Sequence, residues 1–163
     1  MKKPARFRPM IAVIGDTVCD KNVAALALET GRLVAGRGAI LVCGGYGGVM
    51  EHAARGAKAS GGTTLGILSG KEKNEANRWI DIPIVTGIRD ARNAIIARTA
   101  DGVIAISGAY GTLSEIAFAL NFGVPVVGLR SWDLRHHGPK KNLSFPNFQT
   151  PSKALSHLFR LIS

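Results

Sequence analysis

With 163 residues, 46% of them hydrophobic, the chain is long enough to bury one core and too apolar to be disordered. Its formal charge of +10 is concentrated in two places: residues 1–9 carry Lys2, Lys3, Arg6 and Arg8 without an acid, and residues 130–141 add a net three. No apolar run reaches membrane-span length, and Cys19 and Cys43 offer neither a disulfide framework nor metal-ligand spacing, so a cytoplasmic protein without a membrane partner or a metal site is expected.

Residues 1–9 read as a basic tail and residues 10–163 as a single domain. Met10 to Ile14 form an apolar, strand-like run that breaks at Gly15-Asp16, which also makes a poor secretory signal. Asp20 is a candidate N-cap for a helix through about Val34, closed by Gly36 or Gly38. A second strand, Ala39 to Val42, enters Gly44-Gly45-Tyr46-Gly47-Gly48, and a helix from Val49 to about Ser60 follows. Thr63 to Leu68 reads as a third strand. Ile80 to Val85 contains Pro83 and reads as an edge strand or extended connection. A helix over 89–99, a strand over 102–106, a helix over 112–122 and a strand over 124–129 complete the alternation. The segment 130–149 is basic and polar and reads as a loop. Pro151-Ser152 opens a last helix with Leu155, Leu158, Phe159 and Ile162 facing inward.

Nearly continuous apolar strands separated by helices predict an α/β fold: a single-domain, Rossmann-like, doubly wound sheet, mainly parallel, with helices on both faces. Ligands of such sheets bind beyond the carboxyl ends of the strands, where the helices begin. Here those points carry Gly15, the cluster Gly44, Gly45, Gly47 and Gly48, and Ser107 to Glu115. Glycines let backbone N–H groups approach an anion, and a helix N-terminus adds its positive dipole end. Gly108, Gly111 and Thr112 are therefore candidate phosphate-binding residues, with Glu115 one turn into the helix. The same Thr112-x-x-Glu115 spacing also fits a capping box that binds nothing. Arg89 and Arg92, three apart, are candidates to pair with the anion, and Asn93 to hydrogen-bond it. Neither glycine-rich loop holds a lysine for a Schiff base. The adjacent His136 and His137 lack an obvious third metal ligand.

With these loops in place the chain resembles the LOG, or lysine-decarboxylase-like, superfamily. LOG proteins carry a GGGxxGxM turn, an Arg-Lys pair and PGGxGTxxE. The matching stretches here are Cys43 to Met50, Arg92-Asn93 and Ser107 to Glu115. Ser107-Gly108-Ala109 stands where the family has Pro-Gly-Gly, and Asn93 where it has lysine. The short chain and Asp81 to Gly87 look more like the molybdenum-cofactor-carrier-like branch. The resemblance implies a carrier-like protein that binds a phosphorylated nucleotide or pterin-type ligand, with the molybdenum cofactor as cargo and no cofactor of its own required. It implies, as an alternative, a nucleoside 5′-monophosphate phosphoribohydrolase in which Arg92 and Glu115 are catalytic. A homo-oligomer, dimer or tetramer, is implied in both cases. A DNA-binding Rossmann-like protein is a third reading, supported only by the basic tail and loop.

Overall fold

The computed structural model describes residues 7–135 and 144–163. Seven strands form one sheet, all of them parallel: β1 (Met10–Gly15), β2 (Ile40–Cys43), β3 (Thr63–Leu68), β4 (Ile82–Val85), β5 (Gly102–Ile106), β6 (Val126–Leu129) and β7 (Asn147–Phe148). Their spatial order is β4-β3-β2-β1-β5-β6-β7. The chain thus winds outward in one direction from β1 to β4, then returns to β5 on the other side of β1. Among the described residues five helices lie between or after the strands: α1 (Lys21–Gly36), α2 (Val49–Ala59), α3 (Arg92–Thr99), α4 (Tyr110–Asn121) and α5 (Pro151–Ile162). The predicted Rossmann-like architecture is the one observed.

The two faces follow from the two-residue period of a strand. Ile11 and Val13 of β1 and Leu41 and Cys43 of β2 point into one core, against Ala27 and Val34 of α1, Ala53 and Ala57 of α2, and Leu155 and Leu158 of α5. Ala12, Ile14 and Val42 point into the other, against Ile96 of α3 and Ile116 of α4. Because both faces are covered, the central strands read as unbroken apolar runs. Helices α1 and α2 touch through their smallest residues. A Cβ on Gly31 would overlap the Ala53 carbonyl, and one on Gly56 would overlap the Leu28 carbonyl.

Local signals set most boundaries. The Asp20 carboxylate accepts the Val23 N–H at 2.8 Å and caps α1. Thr150 caps α5, with Pro151 in its first turn. Strand β4 lies at the edge of the sheet, where Pro83 is tolerated.

Four expectations need correction. Helix α4 starts at Tyr110, two residues before Thr112, with Ala109 as N-cap and no side-chain cap bond. Thr112 is therefore inside the helix and buried, and the Thr112–Glu115 capping box does not form. The helix expected over 89–99 is a 3₁₀ turn, Arg89–Ala91, followed by α3. The segment read as loop contains β7, which extends the sheet beyond β6. Arg8, assigned to the tail, is bound to the sheet: its guanidinium donates to the carbonyls of Gly38 (2.9 Å) and Ala39 (3.4 Å) and to the Thr63 hydroxyl (3.2 Å). Lys2, Lys3, Arg6, His136 and His137 lie outside the described residues.

Candidate functional site

The winding direction reverses between β1 and β5, and the loops leaving these two strands diverge to opposite faces. That divergence leaves a crevice at the carboxyl ends of the strands. A cavity of about 240 Å³ occupies it. Ile14 to Thr17 after β1, Gly44 after β2, Met50 of α2, Asp90, Arg92 and Asn93 around the start of α3, and Ala109, Gly111, Thr112 and Glu115 of α4 line it.

Arg92 is held from three sides. Its Nη1 donates to the Ile67 carbonyl at 2.8 Å, and its guanidinium lies 5.6 Å from the centre of the Tyr46 ring. Gly44 supplies the third side, because a Cβ there would overlap the guanidinium. Nε of Arg92 is buried without a hydrogen-bond partner in the protein. Tyr46 is itself fixed by its hydroxyl oxygen, which accepts the N–H groups of Ser69 and Gly70, each at 3.0 Å.

Glu115 is 8% exposed. Burial pushes its carboxyl up to about 8, and the positive charge of Arg92 pulls only partly against that. No ion pair joins the two among the described residues. At neutral pH Glu115 is therefore mostly a neutral carboxylic acid, able to donate as well as accept. Asn93 is also buried, and its Nδ2 donates to the Ser114 hydroxyl at 2.9 Å. Ser114 in turn donates to the Gly111 carbonyl at 2.7 Å, which fastens the start of α4 to α3.

Asp16 is the residue that closes the crevice. Its Oδ1 accepts the N–H of Ala109, the N-cap of α4, at 2.7 Å. An anionic oxygen thus already sits on one donor at the mouth of the helix. The loop after β1 is also pressed onto α2. Val49 N–H donates to the Asp16 carbonyl at 2.9 Å, and Gly48, at φ 61°, leaves no room for a Cβ beside that carbonyl.

Of the residues singled out in the sequence, Gly15, Gly44, Arg92, Asn93, Gly111, Thr112 and Glu115 come together around the cavity. The others do not line it. Gly45 packs against the Leu68 side chain and Gly47 against the Thr17 carbonyl. Gly108, at φ 120°, packs on Thr112. Arg89 is exposed in the 3₁₀ turn with φ 54°, so it and Arg92 do not share a helix face. Asp16, Thr17 and Asp90 were not marked by any motif, whereas Met50 closes the matched stretch Cys43 to Met50. Cys43, next to Gly44, is fully buried, and burial pushes its thiol up to about 12, so it is no nucleophile. Among the described residues no group of His, Cys, Asp and Glu is gathered to hold a metal ion, and no helix is long and apolar enough to cross a membrane.

Fold and cavity together define a doubly wound α/β protein with a glycine-lined polar crevice at its switch point. The chain belongs to the SLOG cluster4 family, whose model matches residues 8–155. It is 40% identical over 147 residues to an uncharacterized protein of Archaeoglobus fulgidus, covering 90% of this chain and 92% of that one. It is 34% identical over 125 residues to a cytokinin riboside 5′-monophosphate phosphoribohydrolase of Mycobacterium tuberculosis, covering 66% and 67%. Among solved structures it is similar to a molybdenum cofactor binding protein from Rippkaea orientalis, with TM-score 0.87, 33% identity, and coverage of 98% of this chain and 100% of that one. The molybdenum cofactor carrier protein of Chlamydomonas reinhardtii matches with TM-score 0.83 and 32% identity over 95% and 99%. The LOG-like membership expected from the motifs, with its molybdenum-cofactor-carrier-like branch, is therefore established.

Proposed function

We propose that this chain is a carrier-like protein that binds a phosphorylated nucleotide or pterin-type ligand at the carboxyl edge of its sheet. The observation that carries the reading is the crevice in which Gly15, Gly44, Gly111, Thr112, Arg92, Asn93 and Glu115 converge beside the start of α4. The first-turn N–H groups of Tyr110, Gly111 and Thr112 have no intrahelical acceptor and can donate hydrogen bonds to a ligand. Similarity to the two molybdenum cofactor proteins supports the molybdenum cofactor as the pterin candidate.

Hydrolysis of a nucleoside 5′-monophosphate is the second reading, favoured by the convergence of Arg92 and Glu115 and by the likeness to the phosphoribohydrolase. Glu115 would act on an oxocarbenium-like ribose, with Arg92 supplying positive charge. Burial argues against this role, since a carboxyl that keeps its proton to about pH 8 gives little anionic stabilisation near neutrality. Assembly into a homo-oligomer belongs to both readings.

The test incubates the protein with nucleoside 5′-monophosphates, following free base and ribose 5-phosphate by chromatography, and measures thermal stabilisation by the same compounds and by the molybdenum cofactor. A carrier is stabilised without releasing base. Base release that disappears in Glu115→Gln establishes the hydrolase instead. Neither stabilisation nor release would overturn both readings.

A further inference from the structure

Ile106 and Leu129 are paired at the carboxyl ends of β5 and β6. The next residue of each strand, Ser107 and Arg130, leaves the sheet with positive φ, 53° and 52°. Such backbone is uncommon outside glycine, and here it occurs twice side by side. Between these two residues opens a second cavity, of about 250 Å³, lined by Ser107, Gly108, Arg130, Ser131 and Trp132. Its walls are tied together. Ser131 donates its hydroxyl to the Ser107 carbonyl (2.8 Å) and its N–H to Asn147 Oδ1 (3.1 Å), and Asn147 Nδ2 donates to the Trp132 carbonyl (3.0 Å). Tyr110 stacks on Trp132, with ring centres 6.3 Å apart.

The two cavities lie on either side of one short turn. Ser107 and Gly108 line the second, and Ala109 and Gly111 the first. Their charges are opposite in kind. The first holds Asp16, Asp90 and Glu115 around the single guanidinium of Arg92, whose Nη1 is already engaged with the Ile67 carbonyl. Its Ala109 N–H is already taken by Asp16. The second contains no carboxyl, and its Arg130 has neither an ion pair nor a hydrogen bond among the described residues. A phosphate in the first cavity faces the carboxyl groups of Asp16 and Asp90, whereas in the second it faces the Arg130 cation and hydroxyls. Hydroxyl and N–H donors of a sugar or heterocycle have the reverse preference.

We infer that the ligand's phosphate sits on the Arg130 side of the 107–109 turn, in an oxyanion subsite built from the Arg130 guanidinium, the Ser107 hydroxyl and the Gly108 N–H. The donor-rich sugar or heterocycle occupies the first cavity, against Asp16 and Asp90. This rests on the ligand class proposed above and assigns its two ends to the two sides of the turn. Arg130 is exposed and free, so its replacement leaves the fold intact.

The test titrates inorganic phosphate by ³¹P NMR, and AMP and adenosine by calorimetry, into wild type, Arg130→Ala and Asp16→Asn. Arg130→Ala is expected to weaken inorganic phosphate and AMP at least tenfold and to leave adenosine unchanged. Asp16→Asn is expected to weaken adenosine while phosphate stays within about twofold. If Arg130→Ala binds phosphate as wild type does, or Asp16→Asn binds it tenfold tighter, the phosphate belongs in the first cavity and the inference is overturned. AMP binding that ignores Arg130 leaves the ligand class standing and removes the subsite. Arg130-dependent phosphate binding without any AMP or adenosine binding keeps the subsite and removes the nucleotide. A wild type that binds none of the three overturns both.

Discussion

Ser107 has φ 53°, and its N–H donates to the Leu129 carbonyl at 3.0 Å. Proline satisfies neither condition, since its ring fixes φ near −65° and it has no N–H. The LOG motif's proline is therefore incompatible with the turn this chain makes. Ser107→Pro is expected to cost about 3 kcal/mol or more, read from urea denaturation, and unaltered stability would mean that the turn can be remade. Glu115 couples stability to pH. Its carboxyl holds a proton to about 8 in the fold, against an ordinary 4.5. Below 4.5 the carboxyl is protonated in both the folded and the unfolded chain, and it makes stability no more dependent on pH. Between the two values only the fold keeps the proton, so stability falls as pH rises, by at most about 1.4 kcal/mol per pH unit, and levels off above 8. Glu115→Gln removes that component of the slope, and denaturation at pH 5, 7 and 9 measures the difference. An identical slope in the variant would show that Glu115 is solvated. The neutrality of Glu115 was not legible in the sequence, because it comes from the α3–α4 packing around it and not from its neighbours in the chain.

At the scale of elements, α1 and α2 approach closely enough that neither Gly31 nor Gly56 has space for a methyl group. Gly31→Ala would gain helix propensity of up to about 1 kcal/mol. It must also push α1 and α2 away from each other at a backbone contact, and overpacking of that kind costs about 1–3 kcal/mol. Gly31→Ala and Gly56→Ala should each lower Tm, whereas Gly36→Ala, which meets open space, should not. A rise in Tm for Gly31→Ala would mean that the helices slide apart freely. Boundaries with a chemical marker were readable in advance: Asp20 and Pro151 start helices. The start of α4 carries no such marker. Ala109 has no capping side chain, and Gly111 inside the first turn reads as more loop, which moved the expected start to Thr112. Strand β7 has two residues and therefore no period to detect.

For the whole molecule, the parallel sheet with helices on both faces was implicit in uninterrupted apolar runs, since only a sheet covered on both faces needs them. The cavity was not, because its lining comes from β1, β2, α2, α3 and α4, and single acids such as Asp16 and Asp90 carry no sequence signature. Charge also reads differently in three dimensions. Arg8 belongs to the domain, joining the amino-terminal segment to residues 30, 31 and 55 positions away. Arg8→Ala is expected to lower stability by about 1–2 kcal/mol, with the loss insensitive to salt because the acceptors are neutral. A loss that vanishes in high salt would point to long-range charge instead of these hydrogen bonds.

The Asp16–Ala109 hydrogen bond has a consequence for how a ligand enters. It links the two loops that leave β1 and β5, at the point where they would otherwise be free to splay. The crevice is thereby shaped before any guest arrives. Occupation then takes place at a rigid rim, and the entropy of ordering two loops is spent once, when the chain folds, and not again at each encounter.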